Sequence, residues 1–312
     1  LGAGNLGSRY LQGLVVSKTQ LNITVIDPSV TSLDKARFRW IEAGGEESQH
    51  QIDWDIGVPS LLNNIDLAIV TTSSFGRADL VEQIAQQINI RFWVLEKVLA
   101  QSASEVNIIC SSVSSSREVW VNTARRMMTW HKSIKKLLDG KGPLKITYSA
   151  RFWGLACNSI HFIDLVAWWS GESLISIDNT RLGPTWFESK REGYFEVTGK
   201  LVAHFSAGTS LVLEALEGID SQPLQIELVD GGVVYVDEIN GIASCSNGER
   251  IDGRVELQSE VSARLVDSIL LNGSCELPTL DESAQMHTIL LDSMLEHWNF
   301  CKNRNDDRVP IT

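Results

Sequence analysis

Residues 2–7 read Gly2-Ala3-Gly4-Asn5-Leu6-Gly7, which is the pattern G-x-G-x-x-G. In such a turn the first glycine permits a sharp change of direction and the second lets a diphosphate approach the backbone. The third allows the following helix to pack closely on its strand. The N-terminus of that helix offers unpaired N–H groups and a partial positive charge to phosphate oxygens. The stretch therefore predicts a strand–turn–helix unit that can hold a dinucleotide.

A carboxylate follows this turn at a suitable distance. Residues 21–27 read as a strand, and Asp27 stands at its carboxyl end, 20 positions after Gly7. A carboxylate there accepts hydrogen bonds from both ribose hydroxyls of the adenosine half and repels a 2′-phosphate. These residues favour NAD over NADP. The alternative is an ordinary turn followed by an Asp that caps the helix after Pro28.

The rest of the first 122 residues alternates between strand-like and helix-like segments. Strands are predicted at 65–70, 92–95 and 119–121, with helices at 77–87 and 102–114 between them. Each parallel crossover needs a connection of helix length, so the alternation predicts a parallel sheet covered by helices. Only Leu1 stands where a strand should lead into the glycine turn, and we expect the natural chain to begin several residues earlier.

After residue 122 the pattern changes. Residues 124–138 and 158–170 read as helices, and most of the segment 174–236 reads as short strands separated by turns, as hairpins require. We predict two domains. An α/β dinucleotide-binding domain covers residues 1–122. An α+β domain for substrate binding and oligomerisation covers residues 123–312, with a large, mostly antiparallel open sheet and a last helix able to pack back on the first domain.

Composition argues against several classes of protein. The 312 residues include 27 Lys and Arg against 39 Asp and Glu, and the formal net charge is −12. Nucleic-acid binding needs a basic face, so it is not expected. The apolar runs have strand length, so no membrane span is expected, and no signal peptide is recognised. The cysteines show no C-x-x-C spacing, which disfavours disulfides and structural zinc. The expected compartment is the cytoplasm, and no metal is predicted.

Two further groups are suited to proton transfer. Glu96-Lys97 follows strand 92–95, and the carboxyl ends of such strands face the ligand crevice, where a lysine can exchange a proton with an alcohol. His161 and Asp164 lie three positions apart on a predicted helix and share a face, so Asp164 could orient His161. The structural alternatives are a solvated lysine at a strand end and a satisfied core histidine.

Taken together, the glycine turn, Asp27, the stretch Val94-Leu95-Glu96-Lys97 and the helix around His161 resemble the glucose–fructose oxidoreductase/inositol dehydrogenase (Gfo/Idh/MocA) family. The resemblance covers nearly the whole chain in element order. It implies a Rossmann domain followed by an α+β domain with a large open sheet. It also implies hydride transfer between NAD or NADP and a carbinol carbon of a sugar or cyclitol, with the lysine role falling on Lys97.

The chain departs from the family pattern in three motifs. Val98 replaces the proline of Glu-Lys-Pro, and Thr72-Ser73-Ser74 replaces a Thr-Pro near the cofactor, with Arg77 where a His is frequent. In the motif Asp-x-Gly-x-His-x-x-Asp, Cys157 stands where the catalytic Asp is usual and Ser159 where glycine is usual. By this comparison, the set of acid–base residues is incomplete, because it lacks this aspartate.

The resulting hypothesis is NAD-dependent hydride transfer to or from a secondary alcohol of a sugar, cyclitol or nucleotide sugar, with Lys97 and His161 in proton transfer. An NAD-assisted glycosidase or epimerase and a non-catalytic NAD-binding sensor or partner subunit remain alternatives. The open sheet face needs a cover, which predicts a homodimer or homotetramer.

Arginines can anchor an anionic substituent, and aromatic faces stack on sugars, although both residue types also serve structural roles. The expected catalytic residues are Lys97, His161 and Asp164. The expected cofactor contacts are Gly2, Gly4, Asn5, Leu6, Gly7, Asp27, Thr72, Ser73 and Glu96, and the expected substrate contacts are Arg125, Arg126, Arg151, Trp153 and Asn158.

Overall fold

The computed structural model describes residues 1–60, 62–218 and 220–312, and the chain forms two compact units. Unit 1 comprises Leu1–Glu96, Ile108–Ala124 and Glu256–Leu280, while unit 2 comprises Lys97–Asn107, Arg125–Val255 and Asp281–Thr312. Each unit is therefore assembled from separate stretches of chain, unlike the two continuous segments expected to meet after residue 122.

Unit 1 consists mainly of strands alternating with helices. Its elements begin with α1 (Asn5–Leu14), β1 (Asn22–Ile26), α2 (Val30–Glu42), β2 (Gln51–Asp55), β3 (Asn64–Val70), α3 (Arg77–Gln87) and β4 (Asn89–Glu96). The chain continues through α4 (Ala103–Ser112), of which the part from Ile108 onward belongs to unit 1, to β5 (Glu118–Asn122). The helix α7 (Gln258–Asn272) also belongs to this unit. All strand pairs of unit 1 are parallel, in the orders β1-β2 and β3-β4-β5.

The packing of α7 on α1 explains why residues 258–272 belong to unit 1. Gly13 of α1 lies so close to α7 that an added Cβ would stand 2.2 Å from the carbonyl oxygen of Ser259. Only a glycine permits this approach of two helix backbones. The sequence placed this helix in the second segment, since a tertiary contact over about 250 residues leaves no local signal.

A groove of about 660 Å³ separates β1 from β3 within unit 1. At one end of the groove the first residues join the two sheets. The amide of Gly2 donates to the carbonyl of Ile26 at 2.8 Å, and the amide of Thr71 donates to the carbonyl of Leu1 at 2.8 Å. The glycine turn is thereby held between the carboxyl ends of β1 and β3.

Unit 2 is built on an eight-stranded sheet. The strands are β6 (Lys145–Ala150), β7 (Leu174–Glu188), β8 (Phe195–Phe205), β9 (Ser210–Ala215), β10 (Leu224–Glu227), β11 (Val233–Asp237), β12 (Ile242–Cys245) and β13 (Arg250–Asp252). Their order in the sheet is β13-β12-β11-β10-β6-β9-β8-β7, and every neighbouring pair is antiparallel except β6 with β9. The helices α5 (Thr129–Leu138), α6 (Leu155–Ser170) and α8 (Leu280–Lys302) accompany this sheet, and α6 packs on β8 and β9.

The predicted fold class is confirmed: a Rossmann-type parallel α/β arrangement is combined with a large, mostly antiparallel sheet. Three short strands, β2, β12 and β13, were not predicted, because these segments of three to five residues lack a long apolar run and are mostly exposed or half-buried. The helix expected over 124–138 is also corrected. It starts as a 3-10 turn at Ala124–Met127, and Met128 has extended backbone angles (φ −77°, ψ 128°) before α5 begins.

Candidate functional site

The glycine turn of unit 1 has the backbone geometry that its sequence predicted. Gly2 has φ +92°, in the left-handed region that favours glycine. A Cβ at Gly7 would lie 2.0 Å from the carbonyl oxygen of Gly2, so the turn closes only around a glycine. Gly4 caps α1, and a Cβ there would meet nothing within 4 Å. The N-terminus of α1, which starts at Asn5 and includes Leu6, has no side-chain cap and no acidic residue in its first turn.

Asp27 directly follows β1 and lies beside this turn. Its Oδ2 accepts a hydrogen bond from the amide of Ala3 at 2.7 Å, and its Oδ1 accepts one from the amide of Ser29 at 2.8 Å. Each carboxylate oxygen can accept a further hydrogen bond. The carboxylate and the open end of α1 thus lie on the same side of unit 1, as the sequence spacing predicted.

The segment after β3 forms another part of this surface. The Oγ1 of Thr71, a residue that the sequence reasoning did not select, donates to the carbonyl of Gly2 at 2.7 Å. Thr72 has a buried Oγ1 that finds no hydrogen-bond partner in the described part of the chain. Ser73 follows it, half-buried. Arg77 is 1% exposed, and its guanidinium donates to the backbone carbonyls of Thr72 and Glu96, so it ties the ends of β3 and β4 together.

Glu96 ends β4 and has partners inside unit 1. Its side chain is 3% exposed. The Oε1 atom accepts hydrogen bonds from the hydroxyl of Tyr10 at 2.8 Å and from the side-chain Nδ2 of Asn122 at 2.7 Å. Burial, followed by the negative charge of Glu96, raises the pKa of Tyr10 well above its usual value. Glu96 therefore links α1, β4 and β5, and its expected contact with a cofactor stays a prediction.

Lys97 begins unit 2 and is bound by the first turn of α6. Its Nζ donates to the Oδ1 of Asn158 at 3.1 Å and to the carbonyl of Cys157 at 3.3 Å. Asn158 is fixed in turn, because its Nδ2 donates to the carbonyl of Trp153 at 2.8 Å. The peptide bond between Lys97 and Val98 is cis. Within unit 2 the structure thus brings together Lys97 and Asn158, two of the predicted site residues.

His161 lies one turn further along α6. Burial lowers its pKa well below 6.5, and the positive charges of Lys97 and Arg125 lower it further. The Nδ1 atom of His161 is buried and has no hydrogen-bond partner among the described residues. The imidazole is therefore neutral at neutral pH, with one ring nitrogen as an N–H donor and the other as an acceptor.

Asp164 and Arg126 form a buried ion pair. Arg126 donates from Nε to Oδ2 at 3.0 Å and from Nη2 to Oδ1 at 2.7 Å, and Asp164 is 0% exposed. The sequence placed Asp164 beside His161 as an orienting group and Arg126 as an anchor for substrate. The structure pairs them with each other, because a charge buried at this depth needs a hydrogen-bonded counter-ion.

Arg125 is engaged in a similar way. Its Nε and Nη2 donate to the two carboxylate oxygens of Glu238 at 2.7 and 2.8 Å, and its guanidinium lies 4.8 Å from the ring centre of Phe162. His131 adds its Nε2 at 3.1 Å from Glu238. Burial would raise the pKa of Glu238, but Arg125 and His131 outweigh burial and hold this pKa well below its usual value.

The two other expected substrate contacts differ in their surroundings. Arg151 is exposed, with its guanidinium 5.8 Å from the ring centre of Phe152. Trp153 donates from Nε1 to the carbonyl of Glu214 at 2.8 Å, and its ring packs edge-on against Tyr148. Trp153 is thus anchored in unit 2, whereas the side chain of Arg151 extends from the surface.

Sequence reasoning missed two acidic residues of unit 2, the buried Glu196 and the half-buried Glu238. Glu238 and Glu196 come from β-rich segments distant in sequence, and Glu196 is 6% exposed. Its carboxylate accepts hydrogen bonds from the amides of Ala156 and Cys157. For Glu196, the only sequence signal was its position between two apolar residues, Phe195 and Val197, in a predicted strand.

No cluster of three or more His, Cys, Asp or Glu side chains within residues 1–60, 62–218 and 220–312 is arranged to hold a metal ion. In the same ranges, no helix combines the length and the apolar character that crossing a bilayer requires.

Comparisons with known proteins identify the fold. No protein-family model and no curated protein sequence matches the chain. Solved structures do match. An oxidoreductase from Agrobacterium radiobacter in complex with NAD+, L-tartaric acid and magnesium is 14% identical, with a TM-score of 0.69 over 93% of this chain and 92% of that chain.

Two further structures have the same architecture. Myo-inositol dehydrogenase from Lactobacillus casei, in complex with NAD(H) and myo-inositol, is 13% identical, with a TM-score of 0.65 over 96% of this chain and 93% of that chain. UDP-N-acetylglucosamine 3-dehydrogenase from Acidithiobacillus ferrooxidans is 14% identical, with a TM-score of 0.66 over 94% and 93% of the two chains. The likeness predicted from the sequence is confirmed at the level of the fold.

Proposed function

We propose that this chain is an NAD-dependent oxidoreductase that transfers a hydride between the nicotinamide and a secondary alcohol of a sugar, cyclitol or nucleotide-sugar-like substrate. The observation that carries the proposal is the glycine turn of unit 1 with Asp27 hydrogen-bonded to Ala3. Structures of the same fold have been solved with NAD+ and with NAD(H) and myo-inositol, which supports this choice of cofactor and substrate class.

The residues of unit 1 fit a dinucleotide. The space beside Gly4 and the uncapped N-terminus of α1 suit a diphosphate, because backbone N–H groups and the helix dipole favour anions there. Asp27 keeps free lone pairs for the ribose hydroxyls, and its negative charge disfavours the 2′-phosphate of NADP. Asn5, Leu6, Thr72 and Ser73 are proposed as further contacts with the cofactor.

The residues of unit 2 supply the proton chemistry. When bound, NAD accepts or returns the hydride. Lys97 binds the substrate hydroxyl and exchanges its proton, while Asn158 orients the Lys97 ammonium group through the 3.1 Å hydrogen bond. His161, which is neutral, shares or relays that proton with Lys97. Arg151 and Trp153 are the proposed substrate contacts, whereas Arg125 and Arg126 act through their ion pairs.

Isothermal titration calorimetry and a substrate panel test this proposal. We expect the purified chain to bind NAD more tightly than NADP, and to reduce NAD in the presence of at least one compound from a panel of cyclitols, aldoses and UDP-sugars. Lys97→Ala should abolish turnover and leave the affinity for NAD within about threefold, because its side chain acts on the substrate. Lys145→Ala, at an exposed lysine of β6, is the control and should keep full activity.

A non-catalytic NAD-binding protein is the second candidate, and the state of Cys157 favours it. Burial raises the pKa of this thiol to about 12, so the residue that replaces the usual aspartate is uncharged at neutral pH. Tight NAD binding without turnover of any compound in the panel would support this candidate. Net formation of NADH would distinguish a dehydrogenase from a glycosidase or epimerase, in which the hydride returns to the product and no NADH accumulates.

We also propose a homodimer or homotetramer in the cytoplasm. In β9, Leu211, Leu213 and Ala215 are buried beneath α6. The three residues that alternate with them are half-buried, so the opposite face of the sheet is partly open. A second copy of the chain can cover such a face. A single monomeric species in sedimentation velocity at micromolar concentration would contradict this assembly.

A further inference from the structure

A buried carboxylate stands at the start of the helix that holds Lys97. The Oε2 of Glu196 in β8 accepts a hydrogen bond from the backbone amide of Ala156 at 2.8 Å, and its Oε1 accepts one from the backbone amide of Cys157 at 3.3 Å. The first turn of α6 contains no acidic residue of its own, and its N-cap, Gly154, has no side chain. Glu196 therefore caps α6 from a strand about 40 residues away in the sequence.

The local backbone leaves room for this carboxylate. Gly154 has φ +80°, and a Cβ there would stand 3.2 Å from the Oε1 of Glu196 and 2.9 Å from the Nδ2 of Asn158. Any other residue would press on both side chains. The glycine, the carboxylate and the amide of Asn158 therefore share one tightly packed space.

The same helical turn binds Lys97 through its oxygen atoms. Glu196 fixes the N–H groups of Ala156 and Cys157, while the carbonyl of Cys157 and the Oδ1 of Asn158 accept hydrogen bonds from the Lys97 ammonium. Since Cys157 is a neutral thiol, it adds no negative charge here, whereas the charges of Glu196 and Lys97 interact electrostatically. The positive Lys97 and the negative Glu196 are thus coupled through one turn of helix.

On the basis of the proposed function, we propose that Glu196 is a positioning residue for Lys97. It holds the first turn of α6 so that Cys157 and Asn158 orient the ammonium group, and its charge stabilises the protonated amine. The carboxylate of Glu196 in β8 would then supply the negative charge that Cys157, in the place of the usual aspartate, does not carry. Glu196 need not touch the substrate.

Competitive acetylation read by mass spectrometry tests this inference. Acetic anhydride reacts with the neutral, accessible form of an amine, and the method compares every lysine in one sample. We expect Glu196→Gln to raise the acetylation rate of Lys97 about tenfold, because the carboxylate that favours the charged amine is lost and the turn of α6 loosens. Glu196→Asp should restore a rate near that of the wild type.

Glu214→Gln is the matched control. Glu214 is a half-buried carboxylate of β9, and its Oε1 pairs with Lys200 at 2.6 Å. This variant should raise the acetylation rate of Lys200 and leave that of Lys97 unchanged. Glu196→Gln should raise the rate of Lys97 and leave that of Lys200 unchanged. An equal rise at all lysines in Glu196→Gln, or no rise at Lys97, would overturn the proposal. Glu196→Ala provides a second variant that removes the cap completely.

Turnover gives the second readout. With any compound that the wild type oxidises, Glu196→Gln should lower kcat about tenfold or more and leave the affinity for NAD unchanged. The acetylation experiment needs no substrate. If the wild type fails to bind NAD while Lys97 still responds to Glu196→Gln, the dehydrogenase proposal falls and the coupling between the two residues stands. If NAD binds but Lys97 does not respond, the role of Glu196 falls alone.

Discussion

The carboxylate of Asp27 accepts a hydrogen bond from the amide of Ala3 at 2.7 Å, although the two residues are 24 positions apart. This bond joins the end of β1 to the glycine turn. It fixes the position of a negative charge beside the N-terminus of α1, where backbone N–H groups attract anions. The residue proposed to select the ribose therefore also holds the turn proposed to bind the diphosphate.

Replacement of Asp27 should change both the affinity for NAD and the preference between dinucleotides. We expect Asp27→Ala to weaken NAD binding by about 10- to 100-fold, the equivalent of one or two charge-assisted hydrogen bonds. The affinity for NADP should fall less, because the repulsion between Asp27 and the 2′-phosphate is also removed. Calorimetry with both dinucleotides measures the ratio. Asp53→Ala, at an exposed position of β2, is the control, and equal losses in both variants would contradict the assignment.

Substitutions of two glycines of the turn should separate an effect on folding from an effect on NAD binding. Gly7→Ala places a Cβ 2.0 Å from the carbonyl oxygen of Gly2, so it should lower the free energy of unfolding by about 2 kcal/mol or more. Gly4→Ala meets nothing within 4 Å and has φ −62°, so the apo protein should keep its stability. Its Cβ would instead occupy the space of the diphosphate. Denaturant titration and NAD calorimetry on both variants test this contrast.

Stability should fall as the pH drops below about 6.5, and His161 should contribute to this fall. Burial, Lys97 and Arg125 lower the pKa of His161, so below 6.5 the unfolded state binds a proton that the folded state does not. The unfolding free energy then decreases by at most about 1.4 kcal/mol per pH unit until the folded-state pKa is reached. Urea titrations of wild type and His161→Gln at pH 7.5 and 5.5 measure the difference. The substitution should reduce the pH dependence, and an unchanged dependence would disprove the contribution of His161.

The ion pair between Arg126 and Asp164 should prove structural. Arg126→Met leaves the Asp164 charge buried without its two-point partner and should cost about 3–5 kcal/mol of unfolding free energy. The double variant Arg126→Met/Asp164→Leu should recover much of this loss, because no uncompensated charge remains. A role for Arg126 as a substrate anchor predicts a different result: KM would rise in the single and the double variant alike, with little change in stability.

The local sequence predicted most of unit 1. The glycine turn, Asp27 and the apolar run from Phe92 to Leu95 each follow from short-range chemistry: a close backbone approach, a strand-end carboxylate and a strand buried on both faces. The same holds for Lys97, whose position directly after β4 is set by the chain itself. These features need no information about distant segments.

Tertiary structure alone decided which charges meet. The sequence offered Arg125, Arg126 and Asp164 as site residues, and the fold paired the arginines with Glu238 and Asp164, because buried charges must find counter-ions wherever the chain brings them. It also brought Glu196 to the helix that holds Lys97, a contact between a strand and a helix N-terminus that no local pattern encodes. Short-range sequence determined the backbone geometry of the turn and the order of the elements, whereas long-range packing determined the partners, and hence the charge, of each buried side chain.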